Sequence, residues 1–169
     1  HTIDQVLMRM LKQSDNLYAE SMYYQIAAST GNRPATAKDA KNIERQLITR
    51  VGLNASRYRL ADGSGLSLYN YVSPELEVKL LRYAFENQNI YNHLLPALPI
   101  AGVDGTLKKR MRSQFMRGNV HAKTGTLEGI VSLCGYCTAA NGHRLCFSII
   151  NQGVMHGSNG RNFQDKVCY

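Results

Sequence analysis

Apolar residues fall at Ile3, Val6, Leu7, Met10 and Leu11, a spacing of one helical face that predicts a helix at the start of the chain. Ser14-Asp15-Asn16 interrupts it, and a second apolar stretch runs from Leu17 to about Ala28. After the loop Gly31-Asn32-Arg33-Pro34, a third helix is expected near Thr36, with Asp39 completing a capping pair. It carries Ala40, Ile43, Leu47 and Val51 on one face and stops at Gly52. Tyr58 to Leu60 reads as a short strand entering the turn Asp62-Gly63-Ser64-Gly65. Ser73-Pro74-Glu75 combines an N-cap, a proline at the first helical position and an acid in the first turn, so a helix should follow through Phe85. Leu94 to Gly105 is loop-like, with Pro96, Pro99, Gly102 and Gly105, and a short basic helix is expected over Leu107 to Met116.

The last third changes period. Asn119 to Lys123, Ile130 to Thr138 and Arg144 to Asn151 read as three strands joined by short turns, which favours antiparallel pairing. A terminal helix should follow Ser158-Asn159-Gly160. Helices first and an antiparallel sheet last is an α+β layout.

The 169 residues are enough for one domain or a large piece of one, and 44% hydrophobic against 19% charged residues exclude a disordered, collagenous or coiled-coil chain. No apolar run is long enough to span a bilayer, and His1-Thr2-Ile3-Asp4 opens no signal-peptide pattern, so any targeting signal is expected to lie upstream or to have been removed. The formal charge of +8 favours anionic partners. The tightest basic cluster, Lys108-Lys109-Arg110 with Arg112 and Arg117, has the spacing of a solvated face, and no aromatic-interleaved motif of a nucleic-acid reader accompanies it. Nucleic acid is therefore not expected as a partner.

Cys134-x-x-Cys137 lacks a second such pair, and residues three apart on a strand face opposite ways, so no metal site is expected. Asn141-Gly142 read as a two-residue hairpin loop would set Cys137 opposite Cys146, where either a cross-strand disulfide or two free thiols would fit.

Two short motifs carry chemistry. Ser14-Asp15-Asn16 lies between helices and Lys123-Thr124-Gly125 lies on a strand before a hairpin. Each alone is ordinary, the first as a helix cap and the second as a strand end. Together and in this order they match the second and third elements of the Ser-x-x-Lys, Ser-x-Asn, Lys-Thr-Gly set of penicillin-interacting serine enzymes. Such a site needs an activated serine, a proton path to the leaving amine and an oxyanion hole. Ser14 can relay the proton, Asn16 can hold a substrate amide, and Lys123 offers a cation to the serine hydroxyls and to a terminal carboxylate. Thr124 belongs to the same strand element, Gly125 would let an extended substrate approach the edge, and Thr126 would give its N–H to the oxyanion and its hydroxyl to a carboxylate. His121 shares the strand parity of Lys123 but reads as a surface or hydrogen-bonded residue, and Asp62-Gly63-Ser64-Gly65 reads as a turn.

The chain resembles the class C low-molecular-mass penicillin-binding proteins, the D-alanyl-D-alanine carboxypeptidase/endopeptidases of the penicillin-binding protein 4 type. The resemblance is carried by Ser14-Asp15-Asn16-Leu17-Tyr18-Ala19-Glu20, Asp62-Gly63-Ser64-Gly65-Leu66-Ser67, Gly102-x-x-Gly105-Thr106-Leu107 and His121-Ala122-Lys123-Thr124-Gly125-Thr126-Leu127. It implies a transpeptidase-like, serine β-lactamase-like domain of which residues 1–169 are the C-terminal part. It also implies a periplasmic or otherwise extracytoplasmic enzyme, acting on peptidoglycan stem peptides through an acyl-enzyme, acylated by β-lactam antibiotics and using no cofactor. One element is missing: none of the 11 serines has Lys three residues later. Thr106-x-x-Lys109 has the spacing with the wrong residue and reads as coincidence. These residues are accordingly expected to be a fragment, inactive alone, whose nucleophile lies upstream. A non-catalytic peptidoglycan-binding or scaffolding module is the alternative.

Overall fold

The computed structural model describes every residue, His1–Tyr169. Helix α1 (Ile3–Leu7) starts at the Thr2 N-cap, where Thr2 and Gln5 exchange hydrogen bonds in a capping box, and it continues as a π-helical turn over Met8–Lys12. Helices α2 (Asn16–Ala28) and α3 (Ala37–Arg50) pack on each other through Tyr23, Ala27 and Ala40. Asp39 Oδ2 accepts from the Thr36 N–H at 2.8 Å, as the spacing predicts. Helix α4 (Pro74–Glu86) begins at Ser73, whose Oγ accepts from Leu76 N. It is followed at once by α5 (Gln88–Ala97).

The sheet comprises β1 (His121–Leu127), β2 (Ile130–Thr138) and β3 (Arg144–Gln152), antiparallel and in that order, and α6 (Gly157–Val167) closes the chain. The register pairs Lys123 with Cys134 and Cys134 with Ser148, so these three share one face with Tyr136 and Cys146. That face packs on α4 and α5 through Leu81, Tyr91, Leu98 and Tyr136. The opposite face, with Ala122 and Leu133, packs on Leu107, Met111 and Met116 of the segment before β1 and on Cys168 after α6.

Four expectations are corrected. The β2–β3 turn has three loop residues, with Gly142 at φ +83° after the Ala139–Gly142 turn, so Thr138 faces Arg144 and Cys137 faces Leu145. That one-residue slip sends Cys137 and Cys146 to opposite faces, and all four cysteines are free thiols. Leu107 to Met116 is not a helix: a short 3-10 turn at Gly105–Leu107 gives way to irregular chain, and Met111 at φ +51° cannot continue a right-handed helix. The first four residues of the expected Leu94–Gly105 loop are the last turn of α5, where the missing N–H of Pro96 still leaves Leu98 N bonded to Leu94 O, and the rest up to Asp104 is loop as expected. Tyr58 to Leu60 forms only an isolated bridge between Arg59 and Tyr71. Two smaller shifts are that β1 runs on to Leu127 and that α6 starts at Gly157.

Candidate active site

The π-helical turn at Met8–Lys12 ends the first helix early, and Ser14 follows in the left-handed region at φ +55°. A non-glycine residue there is uncommon and is kept only where surrounding contacts hold it. The reason for the contortion is divided labour in three residues. Asp15 caps α2, its Oδ1 accepting from Tyr18 N, while Oδ2 accepts from Arg9 Nε at 2.8 Å. Ser14 is thereby turned toward the sheet, and Asn16 opens α2 with its amide exposed to the cleft. Asp15 does the capping, which leaves Ser14 and Asn16 free to face the cleft.

Across the cleft, Lys123 Nζ donates to Ser14 Oγ at 2.7 Å, joining residues 109 positions apart, and also donates to Thr124 O. Strand β1 is the edge of the sheet. Its outer side is paired as far as Ala122, whose N–H bonds Pro99 O, and alternation therefore aims the backbone N–H groups of Thr124 and Thr126 outward as well. Beyond Ala122 that edge opens to the cleft. A Cβ on Gly125 would sit 2.3 Å from Ser132 Oγ on β2, so a side chain there would displace that hydroxyl.

The cleft has a volume of about 810 Å³ and brings together all six residues singled out by sequence: Ser14, Asn16, Lys123, Thr124, Gly125 and Thr126. Its far wall is the Asp62–Ser67 loop, whose residue types present a turn and whose place in the resemblance was its other sequence signal. Glu20 Oε2 accepts from Gly63 N at 2.9 Å and Ser64 N at 2.8 Å, and Asp62 accepts from Gly65 N and Ser67 N. Thr106 also belongs here, its Oγ1 accepting from Thr124 Oγ1 at 2.9 Å, whereas Lys109 is exposed and does not line the cleft. Position within the Gly102-x-x-Gly105-Thr106 loop was the only sequence signal for it. Glu77, which accepts from Ser148 Oγ at 2.6 Å, and Cys134 lie on the floor; Glu77 did not stand out in the sequence, and Cys134 did so only as half of a Cys-x-x-Cys pair. His121 does not line the cleft.

The electrostatics follow from burial. Lys123 has no carboxylate partner in the protein, and desolvation holds its ammonium below the usual lysine range. Burial, with the Glu77 carboxylate beside it, pushes the Cys134 thiol up, so this cysteine stays protonated and is a poor nucleophile. No three His, Cys, Asp or Glu side chains converge as metal ligands. What remains is a half-buried cation with no carboxylate partner, bonded to a serine hydroxyl, beside an open row of backbone donors.

Known proteins resemble this chain in sequence and fold. The chain is 36% identical over 154 residues to the D-alanyl-D-alanine carboxypeptidase DacB of Haemophilus influenzae, covering 90% of this chain and 32% of that protein. It therefore spans about a third of that relative's length. The crystal structure of penicillin binding protein 4 from the same organism, complexed with a β-lactam, superposes with a TM-score of 0.85 at 32% identity, over 96% of this chain and 41% of that one. The TLA-3 extended-spectrum β-lactamase, 17% identical with a TM-score of 0.70 over 99% of this chain and 62% of its own, shares the fold. Residues 1–168 match one family along essentially their whole extent, and the chain belongs to it: the D-Ala-D-Ala carboxypeptidase 3 (S13) family, serine-type hydrolases.

Proposed function

We propose that these residues are the C-terminal part of a transpeptidase-like domain and furnish the proton-relay and substrate-clamping half of a serine acyl-transfer site. The substrate is a peptidoglycan stem peptide, cut after a D-alanine, either at its terminal D-alanine or at a D-alanyl cross-link. The observation that carries this reading is the 2.7 Å bond from Lys123 Nζ to Ser14 Oγ at the start of the open edge of β1.

The nucleophilic serine, with its lysine three residues on, is supplied by a segment outside these 169 residues. Its oxygen adds to the D-alanyl carbonyl while its proton passes to a neighbouring base. The N–H of Thr126 stabilises the oxyanion as the tetrahedral species forms. Collapse of that species breaks the C–N bond, and the departing amine takes a proton relayed by Ser14. Water then hydrolyses the ester and frees the enzyme. Asn16 holds the substrate amide, Lys123 and the Thr126 hydroxyl receive the terminal carboxylate, and Gly125 keeps the strand flat against β2 so that the substrate adds as a further strand. A β-lactam presents the same carboxylate and acyl carbonyl and should acylate the same serine. The protein would work outside the cytoplasm, where peptidoglycan is; no helix is long and apolar enough to cross a membrane.

The test is release of D-alanine from a synthetic stem pentapeptide ending in D-alanyl-D-alanine by the full-length polypeptide that contains this chain. Turnover that benzylpenicillin abolishes is the expected result. A folded polypeptide that binds the peptide without releasing D-alanine would establish the non-catalytic peptidoglycan-binding alternative instead.

A further inference from the structure

Lys12 is a buried lysine, 8% exposed, two residues before Ser14 and outside the cleft. Its ammonium donates to Leu98 O at 2.7 Å and to Asp104 Oδ2 at 2.7 Å, and Asp104 Oδ1 in turn accepts from Ile100 N at 2.9 Å. The backbone is packed as closely as the side chain: a Cβ on Gly105, which stands at φ +56°, would lie 2.8 Å from Lys12 O. The segment from Leu98 to Thr106 is thus wrapped around this one residue.

The same segment grips β1 on both sides of Lys123. Pro99 O accepts from Ala122 N at 2.9 Å, Ala101 N donates to Val120 O at 2.9 Å, and Thr106 Oγ1 accepts from the Thr124 hydroxyl at 2.9 Å. Ala122 and Thr124 are the two chain neighbours of Lys123. One loop therefore fixes the strand that carries the lysine, and Lys12 fixes that loop to the turn that carries the serine.

We infer that Lys12 and Asp104 are positioning residues for the reaction: their ion pair, buried at the lysine and half-exposed at the carboxylate, locks the left-handed Ser14 turn and the Lys123 strand into one rigid body and so sets the Ser14–Lys123 bond. The role assumes the acyl-transfer chemistry proposed above. A buried charge is a costly way to stabilise a fold, since an apolar residue of similar volume often serves as well, but a charge with two directional acceptors fixes a position in space. Ser14 needs that, because its backbone conformation is one that serine does not hold unaided.

The experiment compares the full-length wild type with Lys12→Met, Lys12→Arg, Asp104→Asn and Gly105→Ala. Stopped-flow acylation by a fluorescent penicillin separates the saturating rate constant from the precovalent dissociation constant, and intact mass gives the adduct per folded molecule. Lys12→Met should lower the saturating rate constant roughly tenfold to a hundredfold, the scale expected of a misplaced catalytic group. The dissociation constant should stay within about threefold, since ground-state binding is not what is lost. Stoichiometry should stay at one. Lys12→Arg should recover part of the rate, and Gly105→Ala, which leaves both charges in place but pushes on Lys12 O, should reproduce the defect. An unchanged rate constant with only lowered stoichiometry or thermal stability would make the pair purely structural and overturn the inference. If the wild type forms no adduct, the acyl-transfer reading fails instead. The geometry is then read in crystals of the full-length Lys12→Met polypeptide: Ser14 displaced from Lys123 sustains the inference, and a retained 2.7 Å bond overturns it.

Discussion

Replacing Lys123 by alanine should separate catalysis from stability. The ammonium donates to Ser14 Oγ at 2.7 Å, and nothing in the protein neutralises it. A hydrogen bond to a charged group contributes about 1.5–3 kcal/mol when it is lost from a committed geometry. Attraction between the ammonium and a substrate carboxylate at contact distance adds about 4 kcal/mol at an effective dielectric constant near 20. Water entering the vacated space recovers part of both, so a net loss of about 3–4 kcal/mol is expected, or roughly two to three orders of magnitude in acylation rate. Stability should move the other way or hardly at all. The side chain carries an uncompensated desolvation penalty, and its removal relieves that penalty while leaving a small gap, for a net change within about 1 kcal/mol. The assay is acylation of full-length wild type and Lys123→Ala by a fluorescent penicillin, with chemical denaturation of both. Acylation within a few-fold of wild type, at equal folded fraction, would refute the role given to this lysine.

Other expectations follow from single contacts. Gly125→Val should force β1 and β2 apart at Ser132, costing about 1–3 kcal/mol of stability and most of the acylation; wild-type kinetics would show that the strand edge tolerates a side chain. Glu44 has an unpartnered buried oxygen, and burial pushes its carboxyl up to about 7 from 4.5, opposed only by Lys41. Its proton is then held by the folded state and lost by the unfolded one as pH rises between those values, so stability should fall by about 1–2 kcal/mol from pH 4.5 to 7, discounted for solvent access. Denaturation curves of Glu44→Gln should lack that decline, and an identical pH dependence would contradict it. Tyr136→Phe removes the 2.6 Å bond from a fully buried hydroxyl to Leu81 O and should cost about 1–2 kcal/mol in denaturant unfolding. Alkylation of the unfolded 169-residue chain without reductant should add label to all four thiols, Cys134, Cys137, Cys146 and Cys168; only two labelled would restore a disulfide.

Where local chemistry decided the structure, the sequence was legible. Ser73-Pro74 starts α4 as its residue types require, and Asp39 closes on Thr36. The Ser14 and Lys123 motifs could be recognised as a pair, and the cleft does join them. Legibility failed where one residue or a distant partner decided. Gly142 in the left-handed region adds a third residue to the hairpin loop, and that single residue moves Cys137 from one face to the other. Leu107, Met111 and Met116 look like a helical stripe, yet burial against Leu133 and the positive φ of Met111 give an irregular segment with the same apolar anchors. The Asp62 loop looked self-sufficient because its internal Asp62 bonds satisfy a turn; that Glu20 holds it as a cleft wall depends on a contact 43 positions away. Lys12 was likewise silent, since the charge partner that explains its burial is 92 residues distant.

The central claim is that this cleft belongs to a serine acyl-transfer site. The most direct measurement is the intact mass of the full-length polypeptide before and after incubation with benzylpenicillin, with the adduct mapped by peptide sequencing. The account predicts a single stable penicilloyl adduct on a serine outside residues 1–169, followed by lysine three positions on, and its loss in Lys123→Ala at short reaction times. A folded polypeptide that gains no mass, or one modified on Ser14 or another serine of this chain, would contradict it.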